Sequence, residues 1–428
     1  MKVLVIGSGG REHAIAWRLA RSPSVQKLYA APGNPGMASL AECRKPESSS
    51  PEAFLDLANS LDADLTVVGP EAPLVAGVVD RFRQAGRMIV GPTAAAARLE
   101  GSKIFAKQAM QRYGVPTARY VTVDNHAGAM SALGGFSYPL VLKADGLAAG
   151  KGVVIVQDRQ EAERTLEALL SGALVGSAGA RLVIEEFLTG EEVSFIALSD
   201  GQHILPLAPT QDHKAVFDGD KGPNTGGMGA YCDARILTRV ETSEIIERVM
   251  LPVVSGMRRD GCPFAGFLYA GLMMTAAGPR VLEFNVRLGD PETQALMLSL
   301  DCDFAPVLVA AARGELASAQ VTWQEAPSVC VVMASENYPA TPRTGDVITG
   351  IEEAEALGAA VFHAGTKLTT EGLVTSGGRV LGVTASGPDL PTAIECSYQA
   401  VEKIRFRGMH YRRDIGRKGL TRWPPTLQ

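Results

Sequence analysis

The chain has 428 residues, 46% of them hydrophobic and 20% charged, with a formal net charge of −5. That length exceeds what one core usually serves, so two to four domains of an ordinary soluble globular protein are expected. The negative charge excludes a nucleic-acid sleeve built on clustered Lys and Arg, and the six cysteines, with no Cys-x-x-Cys pair, indicate neither a zinc site nor a disulfide framework.

Scattered free cysteines suit a reducing compartment. The apolar start at residues 1–6 is too short for a signal peptide, and no later run is long enough to span a bilayer, so a cytoplasmic protein is expected.

Residues 3–6 read as a continuous apolar strand, Gly7-Ser8-Gly9-Gly10 as a tight turn, and residues 11–21 as a helix with apolar positions at Ala14, Trp17 and Leu19. This β-turn-α opening lacks the dinucleotide fingerprint, whose third glycine would fall at Glu12. It still presents a helix N-terminus whose backbone N–H groups suit a phosphate, the bland alternative being a structural turn. Further parallel strands are expected at residues 27–30, 65–69 and 88–91, ending in Pro32-Gly33-Asn34, Gly69-Pro70-Glu71 and Gly91-Pro92-Thr93. Ligands of open α/β sheets bind at the carboxyl ends of strands, which makes these loops candidates together.

A helix is expected over residues 100–113, stopped by Gly114-Val115-Pro116, with a second unit starting there. Strands at 139–143 and 153–156 flank the loop 144–152. That loop is no Walker A motif: three residues separate Gly146 from Gly150, Gly152 replaces the Ser/Thr, and a strand follows. It reads as a glycine hairpin able to close over a polyphosphate through N–H groups and Lys143, against a plain hairpin with incidental lysines.

Residues 182–184 form a short strand leading into the acidic connector 185–192, where main chain would read an adenine edge and Glu192 a ribose. The bland reading is an acidic surface hairpin. Another strand is expected at 193–198. Gln211-Asp212-His213-Lys214 and residues 222–230 make a long polar, glycine-rich loop of the kind that forms lids or binding segments. An amphipathic helix at 237–258 and a strand at 266–274 follow.

The stretch 281–292 carries the most chemistry. As a buried strand it puts Leu282, Phe284 and Val286 on one face and Glu283, Asn285 and Arg287 on the other. Carboxylate and amide oxygens two residues apart, about 6.5 Å along a strand, are hard ligands that Mg²⁺ accepts beside waters and phosphates, and Arg287 adds a planar, bidentate anion binder. A merely solvated strand face is the alternative. From about residue 327 the pattern becomes short strands at 329–333, 346–349, 360–363 and 379–384, closed by a helix at 390–404, an α+β tail domain.

Taken together, residues 7–14, 69–74, 143–152, Gln211-Asp212-His213-Lys214, 222–229 and 287–294 closely resemble the phosphoribosylamine–glycine ligase family of the ATP-grasp superfamily, in the family's order from residue 1 to about 415. The resemblance implies a multidomain α/β and α+β protein: a Rossmann-like N-terminal substrate domain over 1–100, an ATP-grasp domain over 101–324 with a glycine-hairpin lid at about 117–192, and a small α+β domain over 325–428. It also implies ligation of glycine to 5-phosphoribosylamine in de novo purine biosynthesis, with ATP converted to ADP and phosphate through glycyl phosphate. Such chemistry needs no protein nucleophile, only positioning and charge neutralisation, and the sequence offers no Ser-His-Asp or Cys-His array.

By the same resemblance, Lys103 and Lys143 hold ATP phosphates together with Gly150, Lys151 and Gly152, while Glu185, Glu186 and Phe187 meet adenine and Glu192 the ribose. Glu283 and Asn285 bind Mg²⁺, with Mn²⁺ able to substitute. Asp212, Lys214 and Arg287 face the reacting groups, and Gly9, Gly10, Asn34, Glu71, Asn224, Thr225 and Gly226 lie on the substrate side. The expected partners are glycine, 5-phosphoribosylamine and ATP, with no nucleic acid, no membrane and a monomeric chain. Residues 267–274 offer no further acidic ligand, so metal binding would rest on Glu283 and Asn285 with water and phosphate. Residues 44–51 and 340–343 also depart from the family pattern, in apparent surface loops. A biotin carboxylase-like or formyl-phosphate-type ligase would not carry Gln211-Asp212-His213-Lys214 and residues 223–229, and a nucleotide-binding regulator with a dead site would not keep Lys143, Glu283, Asn285 and Arg287.

Overall fold

The structure is a computed structural model that describes residues 1–147, 152–172 and 181–422. The amino-terminal sheet is parallel, in the order Glu42–Cys43, Lys27–Pro32, Lys2–Gly7, Leu65–Val68, Ile89–Val90. Strand Lys2–Gly7 is apolar without alternation because both faces are covered: Leu4 and Ile6 enter one hydrophobic cluster, Val3 and Val5 the other. The first helix, Gly10–Leu19, starts where Glu12 reaches back to accept from the Gly9 N–H at 2.6 Å. The residue that breaks the dinucleotide fingerprint is therefore this helix's cap.

Helix Lys103–Tyr113 is set by Ser102, whose hydroxyl accepts from the Phe105 N–H, and ends at Gly114 with φ +70. Beyond it lies a four-stranded antiparallel sheet ordered Tyr120–Val123, Leu182–Glu186, Leu140–Ala144, Val153–Val156. Helices His126–Leu133 and Arg159–Leu170, capped by Asn125 and Asp158, pack on it to give a separate core that includes Leu140, Leu142, Leu166 and Ile184.

Among the described residues the largest sheet has nine antiparallel strands. Its main path runs Gly278–Asn285, Ala265–Thr275, Glu191–Asp200, Thr210–Asp212, Gly229–Cys232, Ser328–Ala334, Arg379–Ser386, Ala360–His363. The carboxyl-terminal strands thus extend the central sheet, through the pairing of Gly229–Cys232 with Ser328–Ala334. Gly229 has φ +154, and a Cβ there would lie 2.6 Å from the Cys330 carbonyl oxygen, so only glycine permits this junction.

Several elements differ from expectation. Leu282 is an extra residue where the pairing of Gly278–Asn285 with Ala265–Thr275 shifts register, a β-bulge. Val281, Phe284 and Val286 are consequently buried while Leu282 is only half-buried, and the expected face of Leu282 with Phe284 is broken. Glu185 and Glu186 lie inside strand Leu182–Glu186 rather than in a connector. The helix expected at 237–258 begins at Arg239 behind a Thr238–Glu241 capping box and contains a π-turn, Ile246–Met250, just ahead of Pro252, whose missing N–H the wider turn accommodates. Residues 346–349 form only single bridges, Val347 to Val374 and Thr349 to Arg405. A hairpin, Thr366–Thr369 with Gly372–Thr375, was not legible in the sequence. No helix among the described residues is long and apolar enough to cross a membrane.

Candidate active site

Three clusters meet where the last strand of the central sheet passes the four-stranded sheet. In the first, the Lys214 ammonium lies 3.0 Å from Glu192 Oε2 and 3.9 Å from Glu283 Oε1, a cation between two carboxylates. Burial lifts the Glu283 carboxyl, but Lys214, Lys103, Lys143 and Arg287 outweigh it and hold the group below its ordinary range. Burial likewise opposes the charge on Lys214, and Glu192 and Glu283 more than offset this, raising it well above its usual value. Both groups are therefore ionised at neutral pH.

The second cluster joins the two sheets. Glu185 is buried and lies 3.0 Å from Lys143 through Oε2 and 3.0 Å from Lys107 through Oε1. Lys143 also donates to the Leu282 carbonyl at 2.8 Å, the carbonyl of the bulged residue. Lys103 donates to the Gly146 carbonyl at 3.2 Å, and Asp145 accepts from the Ser102 hydroxyl and the Ile104 N–H, tying residues 145–146 to the helix start. Gly152 is buried, its carbonyl accepting from the Ala144 N–H at 2.7 Å. Glu186 accepts from the Arg119 N–H at 2.8 Å, while Phe187 is exposed. Gly150 and Lys151 lie outside the described residues.

The third cluster faces the amino-terminal sheet. Arg287 pairs with Glu100 at 3.0 Å and Glu71 at 3.4 Å and donates to Asn285 Oδ1 at 3.3 Å. Glu100 also accepts from the Val286 N–H at 2.7 Å. Glu12, bonded to Arg11, fills the space between Gly7 and Gly69: a Cβ on Gly69 would lie 2.1 Å from Glu12 Oε1. Gly9 carries the Glu12 cap, and Gly10 abuts the Gln294 amide. Asn34 gives its amide N–H groups to the Ser8 and His363 carbonyls, fixing the glycine turn against the carboxyl-terminal strands.

The segment 224–228 is held from two directions. Thr225 donates N–H and hydroxyl to the Lys214 carbonyl, both at 2.8 Å, Gly226 donates its N–H to the Tyr338 hydroxyl, and Arg379 donates to the Gly226 carbonyl. Asn224 is exposed. Asp212 accepts from the His213 N–H at 2.6 Å; burial and the neighbouring Glu292 push its carboxyl well up. Glu292 is itself buried and accepts from the Ser194 and Tyr269 hydroxyls.

Glu283, Glu192 and Lys214 thus come together, as do Lys143 with Glu185 and Arg287 with Asn285 and Glu71. Sequence reasoning missed Glu100, Lys107, Glu292 and Arg379. Glu100 opens the segment 100–113 and Glu292 closes the stretch 281–292, where by sequence they mark only a helix start and a motif end. Lys107 looks like any helical lysine, and nothing local marks Arg379.

No cluster of three or more His, Cys, Asp or Glu among the described residues could hold a metal on its own. Glu283 and Asn285 offer two hard oxygens in a field of four cations, a donor set that suits a divalent ion arriving with phosphate oxygens rather than a bare one.

A small antiparallel sheet presenting lysines across from a larger one, whose last strand carries a carboxylate and an amide, is the architecture of the ATP-grasp enzymes, which use ATP with a divalent metal. The family models "Phosphoribosylglycinamide synthetase, N domain", "ATP-grasp (A) domain" and "C domain" match residues 1–100, 101–293 and 328–418. A phosphoribosylamine–glycine ligase from Ralstonia nicotianae is 50% identical over 99% of this chain and 100% of its own. The crystal structure of phosphoribosylamine–glycine ligase from Thermotoga maritima superposes with a TM-score of 0.87 at 35% identity, covering 97% of this chain and all of that one. Biotin carboxylase from Campylobacter jejuni shares the fold alone, with a TM-score of 0.72 at 15% identity over 99% of this chain and 95% of its own. The chain belongs to the phosphoribosylglycinamide synthetase family, ligases of the ATP-grasp type.

Proposed function

We infer that the protein joins glycine to 5-phosphoribosylamine at the expense of ATP, as the name of its relatives describes, in a cytoplasmic purine pathway and as a monomer. The observation that carries the reading is the end-to-end match to ligases of that name. A glycine carboxylate cannot acylate an amine directly, because oxide is a poor leaving group. One of its oxygens attacks the γ-phosphorus, ADP departs, and glycyl phosphate forms. The amine nitrogen of phosphoribosylamine then attacks the acyl carbon, the C–N bond forms, and the departing phosphate carries off the amine proton.

On this reading the chain's own groups position and neutralise. Lys103, Lys143, Gly150, Lys151 and Gly152 hold the polyphosphate, Glu185, Glu186 and Phe187 meet adenine, and Glu192 takes the ribose. Glu283 and Asn285 would hold Mg²⁺, or Mn²⁺ in its place, which supplies charge neutralisation on the transferring phosphoryl group. Lys214, between Glu192 and Glu283, faces the same group. Arg287 orients the glycine carboxylate, and Asp212, its carboxyl pushed up by burial and by Glu292, faces the acyl centre. Gly9, Gly10, Asn34, Glu71, Asn224, Thr225 and Gly226 form the phosphoribosylamine side.

Glycine labelled with ¹⁸O in its carboxylate tests the route. Transfer through glycyl phosphate puts one labelled oxygen into each inorganic phosphate released, read by mass spectrometry. Unlabelled phosphate alongside product would remove the acyl phosphate.

A further inference from the structure

The second cluster holds a cation that the proposed chemistry does not use. Lys107 is a lysine of helix Lys103–Tyr113 with a side chain only 2% exposed. Its ammonium pairs with Glu185 Oε1 at 3.0 Å and donates to the Thr117 hydroxyl at 2.7 Å, and that hydroxyl donates to the Val281 carbonyl at 2.6 Å. The other oxygen of Glu185 belongs to Lys143, which is anchored on the Leu282 carbonyl. One buried carboxylate thus carries two ammonium groups, and the ring closes on consecutive residues of the strand that bears Glu283. It links a helix, two strands of the small sheet and the last strand of the large one.

We propose that Lys107 is a positioning residue for nucleotide binding, keeping the buried Glu185 carboxylate neutralised when Lys143 turns from it to a polyphosphate oxygen. This rests on the reading that Lys143 holds phosphate. A carboxylate 2% exposed cannot be left without a partner at small cost. With one lysine alone, releasing it to a ligand would strand that charge, so the ion pair would compete with ATP for Lys143. With two, the spare positive charge of the cluster is available to an anion while Glu185 stays paired. Thr117 fixes Lys107 so that it does not follow.

The test compares MgATP and glycine KM values, with circular dichroism and thermal midpoints as controls. Lys107→Met should raise the KM for ATP on the order of tenfold or more while leaving that for glycine nearly unchanged. Lys107→Arg should restore ATP binding. An unchanged ATP KM in folded Lys107→Met overturns the proposal, and so does a loss spread equally over both substrates, which marks a purely structural lysine. Lys143→Ala is measured alongside. If it leaves the ATP KM unchanged, the phosphate reading of Lys143 falls and this proposal with it; if it raises that KM and Lys107→Met does not, this proposal falls alone.

Should Lys107→Met not fold, a pH series on the wild type and Lys107→Arg decides. Burial lowers the Lys107 ammonium to about 8 against the pull of Glu185, with Lys143 adding to the fall and Glu186 opposing it; the Tyr120 ring lies 5.7 Å away. The wild-type ATP KM should climb as pH rises through 8, and that of Lys107→Arg should stay flat. Parallel curves overturn the proposal.

Discussion

Arg287, proposed to orient the glycine carboxylate, is also bound firmly to the scaffold. Its guanidinium, 17% exposed, is shared by Glu100 and Glu71, and Glu100 is only 9% exposed. Burial already lifts the Glu100 carboxyl despite Arg287. Removing the arginine leaves Glu100 enclosed without its cation, so Arg287→Ala should lower stability by about 3 kcal/mol as well as turnover. Glu100→Gln in the same chain should return most of the thermal midpoint but not the rate. Recovery of both would make Arg287 a scaffold residue only, and an unchanged midpoint in the single variant would contradict the buried pairing.

At the scale of elements, the glycine turn at the start of the first helix works because Glu12 occupies the space beside it. The carboxylate caps Gly9, pairs with Arg11 and presses against Gly69. Gly69→Ala would drive a methyl into Glu12, costing about 1–3 kcal/mol by overpacking. The denaturant midpoint should fall with an unchanged m-value, and a midpoint equal to the wild type would show that Glu12 moves aside freely. The sequence announced this β-turn-α unit, because an unbroken apolar run followed by a turn and a helical period is local information. It announced Glu283, Asn285 and Arg287 as a set for the same reason. It hid the bulge at Leu282, which depends on pairing with the neighbouring strand, and the passage of the central sheet into the carboxyl-terminal strands, which joins residues about a hundred positions apart. Lys107 and Arg379 were equally hidden, since each gains its meaning from carboxylates and carbonyls supplied by distant segments.

At the scale of the molecule, the amino- and carboxyl-terminal parts meet through a pair of enclosed histidines. The His363 N–H donates to His13 Nδ1 at 2.8 Å, and the rings lie 5.6 Å apart. Burial, with His363 nearby, lowers His13 to about 3, and burial lowers His363 to about 4, so both are neutral in the folded chain. Unfolded histidines take up protons near pH 6.5. The unfolded state therefore binds more protons between about 6.5 and 4, and stability falls as pH drops through that window, by on the order of 1 kcal/mol per pH unit for each histidine. Thermal midpoints from pH 7 to 4 should slope downward, less steeply in His13→Gln, and identical slopes would remove His13 from the acid response. All of this arrangement belongs to a ligase of the ATP-grasp type. The most direct measurement is ADP release by the purified protein with Mg²⁺ and ATP, omitting glycine and 5-phosphoribosylamine in turn. The expected result is release with both present and little with either missing; equal release without them, or none with any pairing, would contradict the ligase reading.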